Sequence, residues 1–99
     1  AVVGTFQVAG IDEAPQPLAT ACHQLSEIVT GTQIPVAWFA HGVRIIDFSN
    51  PRSMKEVAYF VPDIPPGCTR VQSNDVTVDE RGLIYVTDRQ HGVTIIERT

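Results

Sequence analysis

Long apolar runs are missing from this chain. No stretch approaches the ~20 consecutive apolar residues that a membrane-spanning helix needs, so no membrane span is expected. Basic residues are few: seven Lys and Arg stand against eleven Asp and Glu, for a net charge of −4. Phosphate backbones are held by a clustered basic face. The seven here are scattered, which argues against nucleic acid as a partner. Cysteine is scarce as well. Cys22 and Cys68 are the two present. They form no C-x-x-C pair of the structural zinc type, and a disulfide between them and two free thiols are both open readings. No G-x-S-x-G elbow, P-loop or dinucleotide fingerprint occurs, and no convincing carboxylate pair. The opening "AVVGTF" carries no Met and no visible signal peptide, and the expectation is a processed form or a fragment. Location stays open, a secreted or periplasmic one included.

What is there is β-sheet material. The 99 residues have a globular composition, 43% hydrophobic and 18% charged, enough for one domain with a small core. Short β-rich segments are separated by Gly, Pro and Asx turns. They are "VVGTFQV", "HQLSEIVT", "IPVAWFA", "VRIIDF", "MKEVAYFV", "SNDVTV", "LIYVTD" and "VTIIER". Pro35 sits near the start of its strand, where proline is tolerated. Pro15 and Pro17 keep the stretch after residue 10 irregular.

The segments repeat. "HGVRIID" at residue 41 returns as "HGVTIIE" at residue 91, fifty positions on. "SEIV-turn-IPVAWFA" before the first copy matches "NDVTV-turn-LIYVTD" before the second. "VVGTF" at the start of the chain matches "VAYF", aligning Val3 with Val57, Gly4 with Ala58 and Phe6 with Phe60. With four strands a, b, c and d per unit, the chain reads d, abcd, abc. Four short antiparallel strands repeating every 40–50 residues are the signature of propeller blades. An eight-stranded sandwich is the alternative. The expectation is an all-β chain of about two blade equivalents. Residues 1–8 form an outer strand, 22–61 a full blade, and 71–98 a three-stranded blade.

"GVRIIDFSNPRSMKEVAYF" resembles the LVIVD repeat, an apolar strand ending in aspartate before an S-x-P turn; here the strand is Val43 to Asp47. The resemblance covers most of residues 20–97 and implies a β-propeller. It does not specify an activity.

The missing strand d of the second unit suggests completion by another chain, either a second copy of this one or the remainder of its own propeller. Residues 1–8 would pair with residues 93–98 in trans, and a trimer with six blades is the simplest closed form, a tetramer with eight the next. Ile45 and Ile46, with Ile95 and Ile96, are expected to be buried on opposite faces of strand c.

Propeller topology places the b-to-c turns and d-to-a loops on one face. This gathers His23, Cys22, His41, His91 and Cys68 there, with the loop acids Asp12, Glu13 and Asp63. Imidazole and thiolate are copper and zinc ligands, so His23, Cys22, His41 and His91 are the candidate metal residues, with His23 nearest the axis. Asn74 and Asp75 open the second inner strand and are candidates for a cation or a polar, sugar-like ligand. Their other reading is as partners for nearby backbone. Two functions follow: a non-enzymatic propeller module for binding or scaffolding, or a metal-dependent enzyme of oxidase type with its site at the channel mouth.

Overall fold

The computed structural model describes residues 1–9 and 20–98. Asp12, Glu13, Pro15 and Pro17 lie outside the described residues. Seven strands are present: β1 (Gln24–Leu25), β2 (Gln33–Ala37), β3 (Val43–Asp47), β4 (Lys55–Phe60), β5 (Ser73–Val78), β6 (Ile84–Asp88) and β7 (Gly92–Ile96). They make two antiparallel sheets, β1-β2-β3-β4 and β5-β6-β7. No helix occurs among the described residues, so the chain is all-β as expected.

Local chemistry sets each turn. Gly42, between β2 and β3, has φ +68° and sits against the Phe60 carbonyl, so a Cβ there would meet backbone. Gly92 between β6 and β7 has φ +97° but open space around it. Glycine is therefore required twice over in the first turn, by φ and by space, and only by φ in the second. Asp47 closes β3: its Oδ1 accepts the Ser49 N–H at 2.8 Å and the Ser49 hydroxyl at 2.7 Å. Asn50 Oδ1 accepts the Arg52 N–H at 3.1 Å. The D-F-S-N-P sequence thus caps itself, as Asx turns do. Between β5 and β6, Asp79 Oδ1 accepts from Arg81 and Leu83 N–H at 2.9 and 3.0 Å.

The sheets pack on each other. Ala37, Val43 and Ile45 of the first sheet meet Val76, Ile84 and Val86 of the second in one core, with Ala58, Val78 and Ile96 at its margin. A backbone bridge joins the sheets beside this core. Phe39 N–H donates to the Ser73 carbonyl at 2.8 Å, and Ser73 N–H returns to the Phe39 carbonyl at 3.1 Å. To make that turn Phe39 takes φ +44°, uncommon for a bulky residue. The back of the first sheet carries a second core of Ile34, Val36, Trp38 and Ile46. Val8 and Phe6 from the chain's start lie over it, with Phe48 and Met54 beside them. Residues 1–8 join no strand among the described residues.

Ile45 and Ile46 are both buried, and they belong to different cores because neighbouring side chains point to opposite faces. The second copy differs. Ile96 is partly buried against the inter-sheet core, but Ile95 is 57% exposed and Val93 67% exposed, whereas Val43 is 1% and Ile45 6%. The expectation of a buried Ile95 therefore fails in the single chain. Its face of β7 has no sheet over it among the described residues, while the same face of β3 has the second sheet.

Ile45→Ala and Ile46→Ala should each cost about 2–5 kcal/mol, while Ile95→Ala should stay within about 0.5 kcal/mol. Urea unfolding at a concentration low enough to exclude association measures all three. A large loss for Ile95→Ala there would show that its face is covered within the chain.

Candidate functional site

The end of the sheets where β2 runs into β5 collects the chemistry-bearing side chains. The Phe39–Ser73 bridge is its backbone frame. His23 lies just before β1, and its ring packs on Phe39 with centroids 4.5 Å apart, tilted 48°. His23 Nδ1 lies 2.5 Å from the Asn74 carbonyl. A carbonyl only accepts, so Nδ1 is the donor in this contact. The Arg89 guanidinium stands 5.7 Å from the Phe39 ring centroid, within cation–π range. Phe39 is thus flanked by an imidazole and a guanidinium.

Asp88, at the end of β6, organises the neighbouring loop. It is buried. Its Oδ2 accepts from Gln72 N–H and from the Ser73 hydroxyl, both at 2.9 Å. Its Oδ1 accepts from Gln90 N–H at 2.8 Å and His91 N–H at 3.0 Å. Burial alone would raise the Asp88 carboxyl. The donors from Gln90, Gln72, Ser73 and His91 outweigh it and hold the group below the usual carboxylate range. Four donors on one carboxylate tie the "DRQHG" turn to the start of β5.

Of the expected site residues, His23 and Asn74 are brought together, through the Asn74 backbone rather than its side chain. Asp75 Oδ1 accepts its neighbour's N–H, from Val76 at 2.8 Å, the backbone role foreseen as the alternative. His41 Nδ1 pairs with the Thr20 hydroxyl at 2.5 Å. Burial first, then the Arg44 charge, pushes His41 below the usual imidazole range, with Glu56 opposing. His91 is exposed on the turn between β6 and β7. Cys22 is also exposed, at the edge of an apolar cleft on the back of the first sheet. Partial burial there raises its thiol, which disfavours the thiolate a metal would need. Cys68 lies 3.4 Å from Gln90 Oε1, and both thiols are free.

Among the described residues, no three His, Cys, Asp or Glu side chains come close enough together to hold a metal ion. The copper or zinc expectation therefore finds no assembled ligand set there. Asp63 stands exposed in the loop after β4.

Phe39, Ser73, Asp88 and Arg89 were not anticipated from the sequence. For Asp88 a signal existed. In the fifty-residue repeat it stands where the first copy has Trp38, an acid at a core position, and such a residue must find donors.

The Asp88 carboxyl titrates lower in the folded chain than in the unfolded one. Its stabilisation is complete above roughly pH 4 and is lost as the pH falls through the depressed folded value. Asp88→Asn should cost about 1–3 kcal/mol at neutral pH and far less near about pH 2. Urea unfolding at both pH values checks this. An equal cost at both would mean that charge is not what holds the turn.

In comparisons with family models, with curated proteins and with solved structures, nothing matches this chain.

Proposed function

We propose that the chain is a β-propeller-type binding or scaffold module, non-enzymatic, of about two blade equivalents, completed by another chain. The observation that carries this reading is the contrast between repeat-equivalent residues. Val43 and Ile45 are buried under the second sheet, and Val93 and Ile95 are open to solvent. A repeat unit buries its second face only against a neighbour, and the second sheet has no such neighbour among the described residues. The LVIVD-like strand and S-x-P turn, the fifty-residue repeat and the two stacked antiparallel sheets support the propeller form.

The chemistry of the end face agrees with a binding role. Its carboxylate, Asp88, is saturated by backbone and hydroxyl donors, and His23 is held by a carbonyl on one nitrogen. Neither is poised with a partner acid or nucleophile, so these groups shape loops. Completion by identical chains is head to tail, and a ring closes where the rotation per chain divides a full turn. Three chains with six blades or four with eight meet that condition.

Sedimentation of the purified chain across a concentration range tests the reading. Species heavier than the 10.8 kDa chain are expected. A monomer at every concentration that unfolds in one sharp transition would mark a finished domain and remove the proposal.

A further inference from the structure

The first eight residues and the stretch from β4 into the following loop have the same sequence of environments. From Ala1 to Val8 the side chains run exposed, exposed, exposed, half-buried, exposed, half-buried, exposed, buried. From Lys55 to Pro62 the order is the same, residue for residue. The alignment is the one that pairs Val3 with Val57 and Phe6 with Phe60. It has a spatial basis. Ala58 of β4 packs at the margin of the core shared with the second sheet. Phe6 packs edge-on against Trp38 on the back of the first sheet, centroids 6.0 Å apart and planes at 85°. Gly4 sits against the Pro51 carbonyl, where a Cβ has no room. Residues 1–8 thus touch the back of the first sheet through Phe6 and Val8, and β4 touches the core shared with the second sheet through Ala58.

One difference separates them. β4 is hydrogen-bonded to β3, and residues 1–8 are bonded to no strand among the described residues. The repeat equivalent of β3 is β7, which pairs with β6 on one flank and with nothing on the other among the described residues. β4, the outer edge of the first sheet, carries Lys55 and Glu56, charges of the kind that blunt an edge. β7, "GVTII", carries none. Beside residues 1–8 the back of the first sheet is an apolar cleft of about 480 Å³, lined among others by Leu25, Val29, Ile34, Trp38 and Met54. The Trp38 indole N–H there is buried without an acceptor.

We infer that β7 docks a second copy of this chain: its free edge pairs antiparallel with the partner copy's residues 1–8, and Val93 and Ile95 enter the cleft on the back of that copy's first sheet. This rests on the reading of the chain as an incomplete module and adds the surface, the occupant and the register. The interface already built between the two sheets is the template. There Val43 opposes Phe60, Arg44 opposes Tyr59 and Ile45 opposes Ala58. Carried through the repeat, Val93 opposes Phe6, Thr94 opposes Thr5 and Ile95 opposes Gly4. Gly4 keeps the partner strand close to the first sheet, and Ile95 passes over it towards the cleft. The apolar surface exposed on one copy thus matches the apolar recess on the other.

Cysteine pairs test the register. In a Cys22→Ser, Cys68→Ser background, one chain carries Thr5→Cys and a second carries Thr94→Cys. Opposed residues across a ladder stand within disulfide reach, so mild oxidation of the mixture should give a covalent heterodimer. Thr77→Cys replaces Thr94→Cys as the control. It is exposed on β5, two strands away, and should give none. Ile95→Lys should weaken association by about tenfold or more while leaving the β-sheet circular dichroism intact, because Ile95 is exposed in the single chain. If the chain self-associates but Thr5 and Thr94 do not bridge, or Ile95→Lys associates normally, the docking is wrong and the incomplete-module reading stands. If the unmodified chain is a finished monomer, both fall together.

Discussion

The contact of Val43 and Ile45 with Ile84 and Val86 is the one on which the rest of the structure depends. The second sheet buries Val76, Ile84 and Val86 against Ala37, Val43 and Ile45 of the first, and β5-β6-β7 has no other sheet to lie against among the described residues. The first sheet is apolar on both faces, because β3 carries Ile45 and Ile46 in succession. Without the second sheet it would expose half its core. The Phe39–Ser73 bridge fixes how the sheets are offset, and the positive φ at Phe39 is what lets the end of β2 reach β5. That single-residue strain, of order 1–3 kcal/mol, is offset by the core it allows to close.

Once this contact is set, the repeat gives it a direction. The face of the first sheet that meets the second is the face of the second that meets nothing. The face of the second that meets the first corresponds to the back of the first, where Phe6 and Val8 lie. Among the described residues, the front of the first sheet is covered by the second, its back is covered in part by Phe6 and Val8, and Val93 and Ile95 on the front of the second are open. The partial cover explains why residues 1–8 are held without a ladder. Phe6 against Trp38 and the burial of Val8 hold the segment by packing.

Much of this was legible in the sequence. Positions of β2 to β7 follow from β-rich segments between Gly, Pro and Asx turns, and the fifty-residue spacing is visible in "HGVRIID" and "HGVTIIE". β1 was not. The alternating "HQLSEIVT" suggested a full strand, but only Gln24 and Leu25 pair, with Ala37 and Val36. Ser26 N–H still donates to the Pro35 carbonyl at 3.1 Å, but its hydroxyl turns to the Ile28 carbonyl, a local bond at the point where the ladder ends. The exposure of Ile95 was not legible either. Burial depends on what lies across from a strand, and two strands of similar sequence here have different surroundings. The candidate site was the least legible part. Topology puts His23, His41 and His91 at one end of the sheets, but each ends with its own partner.

The two "HG" turns show why the repeat transmits backbone and not chemistry. Both glycines take positive φ, and both histidines precede them. Around Gly42 the chain is closed by β4, whose Phe60 carbonyl leaves no space for a side chain. His41 lies beneath Thr20, half-buried and pushed towards its neutral form by desolvation and by Arg44. Around Gly92 there is no fourth strand among the described residues, and the turn is held instead by Asp88, which binds the N–H groups of Gln90 and His91. Trp38 occupies the corresponding position in the first copy, where it fills the back of the sheet. An acid serves the second copy because that position faces the bridge at Ser73, with backbone donors in reach. Trp38 faces apolar neighbours, and its one unpaired group is an indole N–H. The substitution of Asp for Trp marks where the two sheets stop being alike. The first unit presents an apolar back, and the second presents a loop fixed by hydrogen bonds at its end and an open apolar face on β7.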